Sequence, residues 1–374
     1  MDNFRKGGCK LDVQTTVNNK VTELLNAWYI EIRNRNVANA YKLKKEIESS
    51  IENIEEDQNL LLYYSLLDFG YKYLIDNLSI AKNSFDQIES LDKPTDDFLS
   101  YYYHFYKAIY SNAVGNYNAA KEHYEKAENL LKSIPDEIEK AEFYYNQAVF
   151  QYHYYQAFVA FQQATKAKEI FTEHKGYEVK IGYCNNLMAL ACTHLKEWEL
   201  AEELYISAMD IFKKVENENG LLVVKQNLGL MYAGQNLSEL AISHLNEVCE
   251  KMPENYKAIY IKGKEHFKLD EYSLASVLVR KGMEICDKLE LIEYQHHFKI
   301  LNGLNEGLNG DKLEEIVLEG IEYFEREKLW EYVKEYTEVL AIVFHKENNF
   351  EKASYYFFSS HKANEEVFKK EALK

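Results

Sequence analysis

Apolar residues recur at helical spacing along almost the whole chain. They return every three or four positions from about Thr16 to Arg33, from Val37 to Ile54, and from near Glu56 to about Leu78. Only the polar joint 34–36 separates the first two stretches. Helices with such short joints pack as antiparallel neighbours, so the pattern predicts a three-helix bundle at residues 1–80.

A polar stretch then interrupts the helical pattern. Residues 81–97 are rich in Asp, Ser and Lys and contain Pro94, one of only three prolines in the chain. Such a composition is typical of a joint between domains. We therefore expect a linker at 81–97, followed by a second domain at 98–374.

The second domain has an internal repeat. A small residue stands twelve positions before an alanine in six places: Ala108/Ala120, Ala148/Ala160, Ala189/Ala201, Gly229/Ala241, Gly263/Ala275 and Ala341/Ala353. A further, degenerate repeat is expected around Gly303. Small side chains allow two antiparallel helices to approach closely, and pairs that cannot bury their apolar faces alone must stack. The fold class is therefore predicted to be all-α, a three-helix bundle followed by a superhelix of helix pairs.

The repeat resembles the tetratricopeptide repeat. The resemblance is carried by Asn227-Leu228-Gly229 with Tyr232, and by Asn146-Gln147-Ala148. In such repeats the asparagine faces an inner groove, where a carboxamide can bind the donor and acceptor of a peptide backbone. Asn146 and Asn227 are therefore candidates for peptide binding. The alternative is that each one caps or bridges neighbouring helices.

Composition and charge exclude several classes of protein. The formal net charge is −17, which disfavours nucleic-acid binding because phosphate contacts need clustered Lys and Arg. No apolar run reaches the ~18 residues of a membrane-spanning helix, and the N-terminus lacks the apolar region of a secretory signal. We therefore expect a cytoplasmic protein that binds neither membrane nor nucleic acid.

No self-contained active site is visible in the sequence. Nucleotide-binding, zinc-protease and serine-hydrolase motifs are absent, and the five cysteines are scattered, which predicts reduced, mostly buried thiols. His296 and His297 are adjacent and so lie ~100° apart on a helix, a poor arrangement for binding one metal ion. We expect one of them to face the groove and the other the solvent. No metal site is predicted.

Three stretches carry a closer resemblance, at residues 25–29, 55–69 and 136–143. The most specific part is Glu-Glu-x-Gln followed by Asn-Leu-Leu-Leu-Tyr-Tyr, which contains Gln58. In this order, and over nearly the whole chain, the sequence resembles the Rap family, the response regulator aspartate phosphatases of Bacillus. The resemblance implies that a short signalling peptide binds in the repeat groove and inhibits the protein.

The resemblance also implies roles for particular residues. Gln58 would orient a water molecule against the aspartyl phosphate of a receiver domain, as a glutamine does in GTPases. The partner would supply Mg²⁺, so no cofactor is expected in this chain. The alternative is that Gln58 is a solvated first-turn residue. The other residues implied are, for partner binding, Glu55, Glu56, Asp57 and Asn59, and for peptide binding, Asn146, Asn227 and His194.

The chain departs from the family pattern at several positions. The family commonly has Asn at 57, Asp at 59 and Arg-His where this chain has Gly70-Tyr71, and often an acidic residue where His194 aligns. Two other functions therefore remain open. The bundle could block a response regulator's DNA-binding domain without catalysis. A peptide-sensing transcription factor would need a basic helix-turn-helix, which residues 16–54 fit badly.

Overall fold

A computed structural model describes residues 19–49, 57–94 and 96–372 of the chain. Within these ranges it contains eighteen helices and no strand, which confirms the all-α prediction. The N-terminal helices are α1 (Asn19–Arg33), α2 (Val37–Glu48) and α3 (Gln58–Ile75). A single short turn of helix, α4 (Asp86–Glu89), follows them.

Seven pairs of helices follow α4. They are α5 (Asp97–Ala113) with α6 (Tyr117–Leu131), α7 (Glu137–His153) with α8 (Ala157–Thr172), α9 (Glu178–His194) with α10 (Trp198–Lys214), α11 (Glu218–Gly234) with α12 (Ser238–Lys251), α13 (Tyr256–Lys268) with α14 (Tyr272–Leu289), α15 (Ile292–Asn305) with α16 (Gly310–Arg326), and α17 (Trp330–Lys346) with α18 (Phe350–Ala372). The pair around Gly303 is the degenerate repeat that the spacing predicted.

The predicted helix boundaries hold at the joint between α1 and α2, where Asn36 caps α2 by accepting a hydrogen bond from the Asn39 N–H. The third helix ends at Ile75, three residues before the expected end at Leu78, because Asp76 adopts an extended backbone. The expected continuation of the second helix to Ile54 lies outside the described residues beyond position 49.

The small residues of the repeats lie where helices approach closely. The ten alanines among the six pairs are all buried, with at most 2% of their surface exposed. A Cβ atom added to Gly229 would lie 2.7 Å from Leu245 Cγ, which leaves no room for a side chain there. The prediction that these positions permit close packing is confirmed.

The turn within each pair closes in the same way. The residue after the turn donates its N–H to the carbonyl five positions earlier, as in Asn116 to Ser111, Leu237 to Tyr232 and Asn349 to Phe344. This is the bond of a Schellman motif, which requires a left-handed residue at the turn. Glycine provides it in two turns, and in the others the left-handed residues are Tyr155, Lys196, Asn236, Asp270 and Asn348.

The segment predicted as a linker contains apolar anchors. Phe85 and Ile88 are buried, and the Phe85 ring lies 5.2 Å from the rings of Phe69 and Tyr110. The segment therefore packs against α3 and α5. The domain boundaries at 80 and 97 stay a prediction.

Contacts within the chain form two compact units. Unit 1 comprises Met1–Phe150, Ala160–Met188 and Ser207–Asn217, and unit 2 comprises Gln151–Val159, Ala189–Ile206 and Glu218–Lys374. Unit 1 contains the three N-terminal helices and the first repeats. Unit 2 contains the later repeats.

Candidate functional site

Gln58 is the first residue of α3, and the residue before it fixes the start of that helix. Asp57 has an extended backbone, and its Oδ1 accepts hydrogen bonds from the N–H groups of Asn59, at 3.0 Å, and Leu60, at 3.2 Å. A carboxylate in this position satisfies two of the N–H groups that a helix leaves unpaired and complements the helix dipole. The position of Gln58 is therefore well defined.

The side chain of Gln58 is exposed to solvent. Asn59 is half-buried, whereas Leu60, Leu62 and Tyr63 are buried against the rest of the bundle. The helix thus buries its apolar face and leaves the carboxamide of Gln58 accessible at its first turn. Glu55 and Glu56, predicted to bind the partner, lie outside the described residues.

Aromatic side chains hold α3 in place. Trp28 is fully buried, and its ring centroid lies 5.7 Å from that of Tyr64 and 5.8 Å from that of Tyr71. The Tyr63 hydroxyl donates a hydrogen bond to Asn26 Oδ1 at 3.2 Å. These contacts orient α3, and with it Gln58, relative to α1.

The departure from the family pattern at Gly70-Tyr71 has a packing explanation. Tyr71 is buried beside Trp28, and a Cβ atom added to Gly70 would lie 2.7 Å from the hydroxyl of Tyr106. Both positions therefore belong to the interior of unit 1. An arginine at position 70 has no room unless Tyr106 moves.

Buried charges join α1 to the start of α7 within unit 1. Arg33 Nη1 lies 2.8 Å from Asp136 Oδ2 and 3.6 Å from Glu139 Oε2. Glu139 is fully buried and accepts hydrogen bonds from the hydroxyls of Tyr29 and Tyr101. Burial raises the pKa of Glu139, although Arg33 and the two hydroxyls act in the opposite direction.

Glu139 lies in the first turn of α7. Asp136 does cap α7, since its Oδ1 accepts from Ile138 N–H at 2.9 Å and from Glu139 N–H at 3.3 Å. Glu139, however, binds side chains 38 and 110 positions away along the chain. Helical spacing carries no signal of such distant partners, so only the three-dimensional structure identifies this cluster.

The residues predicted to bind peptide have different surroundings. In unit 1, Asn146 Nδ2 donates to the Glu142 carbonyl at 2.8 Å, and the Tyr124 hydroxyl donates to the Asn146 carbonyl at 3.0 Å. In unit 2, Asn227 is only 4% exposed, and the half-buried His194 ring lies 5.1 Å from that of Tyr155. Their roles in peptide binding stay predictions.

In unit 2, side chains bridge the first helices of the last three repeats. Tyr260 of α13 and Tyr336 of α17 have their hydroxyls 3.2 Å apart, and His297 Nδ1 of α15 lies 2.5 Å from the Tyr336 hydroxyl. Lys264 donates to Glu335 Oε1 at 2.5 Å. Because α13 and α17 belong to repeats two apart, the face that carries these residues is the inner face of the helix array.

The prediction for the adjacent histidines is corrected in part. His297 is buried on the inner face, 4.3 Å from the ring of Tyr332. His296 does not point freely into solvent, since it is half-buried with its ring 5.6 Å from Tyr323 and 6.1 Å from Phe324. Burial lowers the pKa of His296 to about 4.

The described parts of the chain contain no cluster of three or more His, Cys, Asp or Glu side chains that could hold a metal ion. Within the same ranges, none of the helices is both long and apolar enough to cross a membrane. Cys184, Cys192 and Cys286 are buried and free, Cys249 is half-buried and free, and Cys9 lies outside the described residues.

Comparison with known proteins adds an independent line of argument. Residues 15–76 match the family profile of the N-terminal region of response regulator aspartate phosphatase H, and residues 184–254 match that of the tetratricopeptide repeat. Gln58 lies within the first match. The second match covers Asn227 and His194.

Full-length relatives show the same similarity. The chain is 28% identical to response regulator aspartate phosphatase I of Bacillus subtilis (strain 168) over 378 residues, 98% of this chain and 96% of that protein. It is 26% identical to response regulator aspartate phosphatase H of the same organism, over 96% of this chain and 99% of that protein. The similarity thus spans both units.

Solved structures share the fold. A Rap protein complexed with competence and sporulation factor has a TM-score of 0.78 at 24% identity, covering 93% of this chain and 98% of that one. The apo form of RapI has a TM-score of 0.53 at 29% identity, covering 94% and 99%. In its N-terminal helices, its repeats and its sequence over nearly the whole length, the chain is similar to the Rap family.

Proposed function

We propose that this protein removes the phosphoryl group from the aspartyl phosphate of a response regulator's receiver domain. The observation that carries the proposal is the exposed carboxamide of Gln58 at the capped start of α3. A residue that must enter another protein's active site has to be both accessible and fixed in position. Gln58 meets both requirements.

Hydrolysis of an aspartyl phosphate requires few catalytic groups from this chain. An aspartyl phosphate is an acyl phosphate and is already reactive, so hydrolysis requires mainly that a water molecule be aligned with the phosphorus atom. The Gln58 Oε1 atom can accept a proton of that water in a hydrogen bond while its Nε2 group donates to a phosphoryl oxygen. The carboxamide thereby orients the nucleophile without acting as a base.

The receiver domain supplies the remaining parts of the reaction. Its Mg²⁺ neutralises the phosphoryl oxygens, and its aspartate is the leaving group. In our proposal Glu55, Glu56, Asp57 and Asn59 contact the receiver around Gln58. Asp57 has a second task, because its carboxylate caps α3.

We further propose that a short signalling peptide, bound in the repeat groove, inhibits this activity. Asn146, Asn227 and His194 are the proposed contacts. Inhibition requires that the peptide bind more tightly to the arrangement in which Gln58 is unavailable. The buried contacts of Arg33 with Asp136 and Glu139 support such a link, because they connect the N-terminal helices to α7.

A panel of purified receiver domains tests the proposal. Each domain is phosphorylated with a small-molecule phosphodonor, and the lifetime of its aspartyl phosphate is measured with and without this protein. We expect the lifetime of at least one receiver to shorten sharply. If none of the host's receivers loses phosphate faster, the chain is not a phosphatase.

The same panel tests the non-catalytic alternative. Full-length regulators are incubated with their DNA in a gel-shift assay, and this protein is added. Loss of the shifted band without any change in phosphate lifetime would assign the chain to the inhibitors of DNA binding. Relatives of this chain carry both kinds of name, response regulator aspartate phosphatase I and regulatory protein RapD among them, so the names do not decide between these two activities.

A further inference from the structure

The outer face of α18, the last described helix, exposes a series of aromatic side chains. Its inner face packs on α17 and α16 through Tyr356, whose ring centroid lies 5.8 Å from that of Phe344 and whose hydroxyl donates to Glu314. The outer helix of a repeat array normally carries a polar outer face, which keeps the array soluble. On α18 this face instead bears five rings that are 46–64% exposed, those of Phe350, Tyr355, Phe357, Phe358 and Phe368.

These five rings form a stripe along the outer face. Phe350, Phe357 and Phe368 are spaced by seven and eleven residues, close to two and three turns, so they line one edge of the face. Phe358 lies beside that edge, and its ring centroid is 4.6 Å from the Lys362 Nζ atom. An exposed apolar patch with polar residues among its rings is typical of a protein–protein interface.

The stripe is large enough for a weak dimer. A Phe or Tyr side chain has a surface of ~200 Å², so five rings about half exposed leave roughly 500–600 Å² uncovered in each copy. Two copies together would bury about 1,000–1,200 Å², which is the lower end of the range for biological interfaces. We therefore expect a dimer whose formation depends on concentration.

The charges on this face are balanced, although the whole chain has a formal net charge of −17. A strongly acidic surface would repel another copy of the same chain. The balance removes this repulsion where the rings are exposed. The described exposed charges of α18 are two acids and two bases, namely Glu351, Glu365, Lys362 and Lys369.

The positions of two of these charges fit an antiparallel pairing of identical helices. Phe350-Glu351 and Phe368-Lys369 are eighteen residues apart, which is five helical turns and ~27 Å, so the two dipeptides lie on the same side of the helix. When two copies of α18 run antiparallel, Glu351 of each copy faces Lys369 of the other, and Phe350 faces Phe368. A parallel pairing would place Glu351 against Glu351 and Lys369 against Lys369, which repel. Within its own helix Lys369 lies 2.5 Å from Glu366, but an exposed pair of this kind contributes little and leaves the lysine available.

We propose that two copies of this chain associate through α18, antiparallel to each other, with a twofold axis near residue 359. The interface is self-complementary, because each copy supplies the same stripe of rings and each charge pair occurs twice. Phe358 lies beside the axis, so the two Phe358 rings are expected to face each other. This association does not depend on the proposed phosphatase activity.

Sedimentation equilibrium of the full-length protein over a wide range of concentrations tests the proposal. We expect a reversible equilibrium between one and two copies and no larger species, because a twofold interface closes on itself. Phe358→Glu removes the central ring and brings two like charges together, so the dimer dissociation constant should rise by roughly tenfold or more. The matched control is Phe158→Glu on α8, since Phe158 is 61% exposed and lies away from α18, and it should leave the dissociation constant unchanged.

Charge reversal tests the antiparallel orientation. Glu351→Lys and Lys369→Glu each place like charges against each other at both ends of the interface, and each should weaken the dimer by roughly tenfold at low salt. The double variant restores opposite charges and should regain the dissociation constant of the unaltered protein. Added salt should reduce the effect of each single reversal, because exposed charges are screened.

The outcomes distinguish the occupants of this face. A chain that remains monomeric at every concentration would overturn the proposal and leave the stripe to a different protein. A dimer that Phe358→Glu does not weaken, or that Phe158→Glu weakens equally, would use another surface. Growth beyond two copies, or a double charge variant as weak as the single ones, would exclude the antiparallel twofold pairing. Circular dichroism of each variant distinguishes loss of association from loss of folding.

Discussion

Asp57 and Gln58 are adjacent residues with different tasks. The carboxylate of Asp57 satisfies the N–H groups of Asn59 and Leu60, whereas the carboxamide of Gln58 remains exposed. The cap determines where the helix begins and thus where the carboxamide projects. Loss of the cap would therefore slow the proposed hydrolysis by displacing Gln58, although Asp57 itself transfers no proton.

Replacement of Asp57 tests whether this residue caps α3 and thereby positions Gln58. Asp57→Ala leaves two amides without an acceptor and is expected to destabilise the first turn of α3 by about 1 kcal/mol. Hydrogen exchange at the Asn59 and Leu60 amides should accelerate, and phosphate release should slow. Asp57→Ser keeps a capping oxygen and serves as the control. Unchanged exchange in the alanine variant would contradict the assigned cap.

Individual residues were the hardest part of the structure to predict. The Gln58 block was found through its resemblance to a family, since helical spacing alone describes it as a solvated first turn. The partners of Glu139 could not be predicted, because Tyr29 and Tyr101 belong to helices distant in the chain. Gly70 was identified as a departure, but its cause, contact with Tyr106, required coordinates.

At the scale of helices, the repeats were largely predictable. The twelve-residue spacing of small side chains located six of the seven pairs, because two helices can approach closely only where the side chains between them are small. The seventh was expected as a degenerate repeat around Gly303. The turns were less visible, since residues other than glycine provide most of the left-handed positions. The helix within 81–97 was missed because only two apolar residues anchor it among polar ones.

Two glycines at equivalent repeat positions provide a matched test of packing. An added Cβ at Gly229 lies 2.7 Å from Leu245, whereas at Gly263 the nearest atom is 3.5 Å away, an ordinary contact. Gly229→Ala should therefore destabilise by about 1–3 kcal/mol through overpacking. Gly263→Ala should be neutral or stabilise by about 0.5–1 kcal/mol, since alanine favours a helix. Denaturation midpoints that shift equally would refute this difference.

At the scale of the whole molecule, three half-buried histidines make stability depend on pH. Burial lowers the pKa of His123 and His296 to about 4, and that of His153 to about 3, from 6.5. Because the pKa of these histidines is lower in the folded chain, they bind protons in the unfolded chain at pH values at which they stay neutral in the folded chain. The stability from these groups is therefore fully present above pH ~6.5 and decreases as the pH falls toward 4.

Thermal unfolding between pH 7.5 and 4 measures this dependence. We expect the unfolding temperature to fall steadily below pH ~6.5, and His123→Gln to reduce the slope, because it removes one proton that binds only to the unfolded chain. His174→Gln is the control, since this histidine is exposed to solvent whereas the other three are half-buried. An identical slope in His123→Gln and the unaltered protein would contradict the neutral state of His123 in the folded chain.

The central claim concerns one carboxamide, and single-turnover hydrolysis tests it most directly. A phosphorylated receiver that responds to the unaltered protein is mixed with excess Gln58→Ala, and both complex formation and phosphate release are followed. The control is Gln87→Ala, which removes another exposed glutamine, from α4. We predict that Gln58→Ala binds the receiver with unchanged affinity but no longer accelerates phosphate release, whereas Gln87→Ala behaves like the unaltered protein. Phosphate release by Gln58→Ala at the unaltered rate would contradict the account.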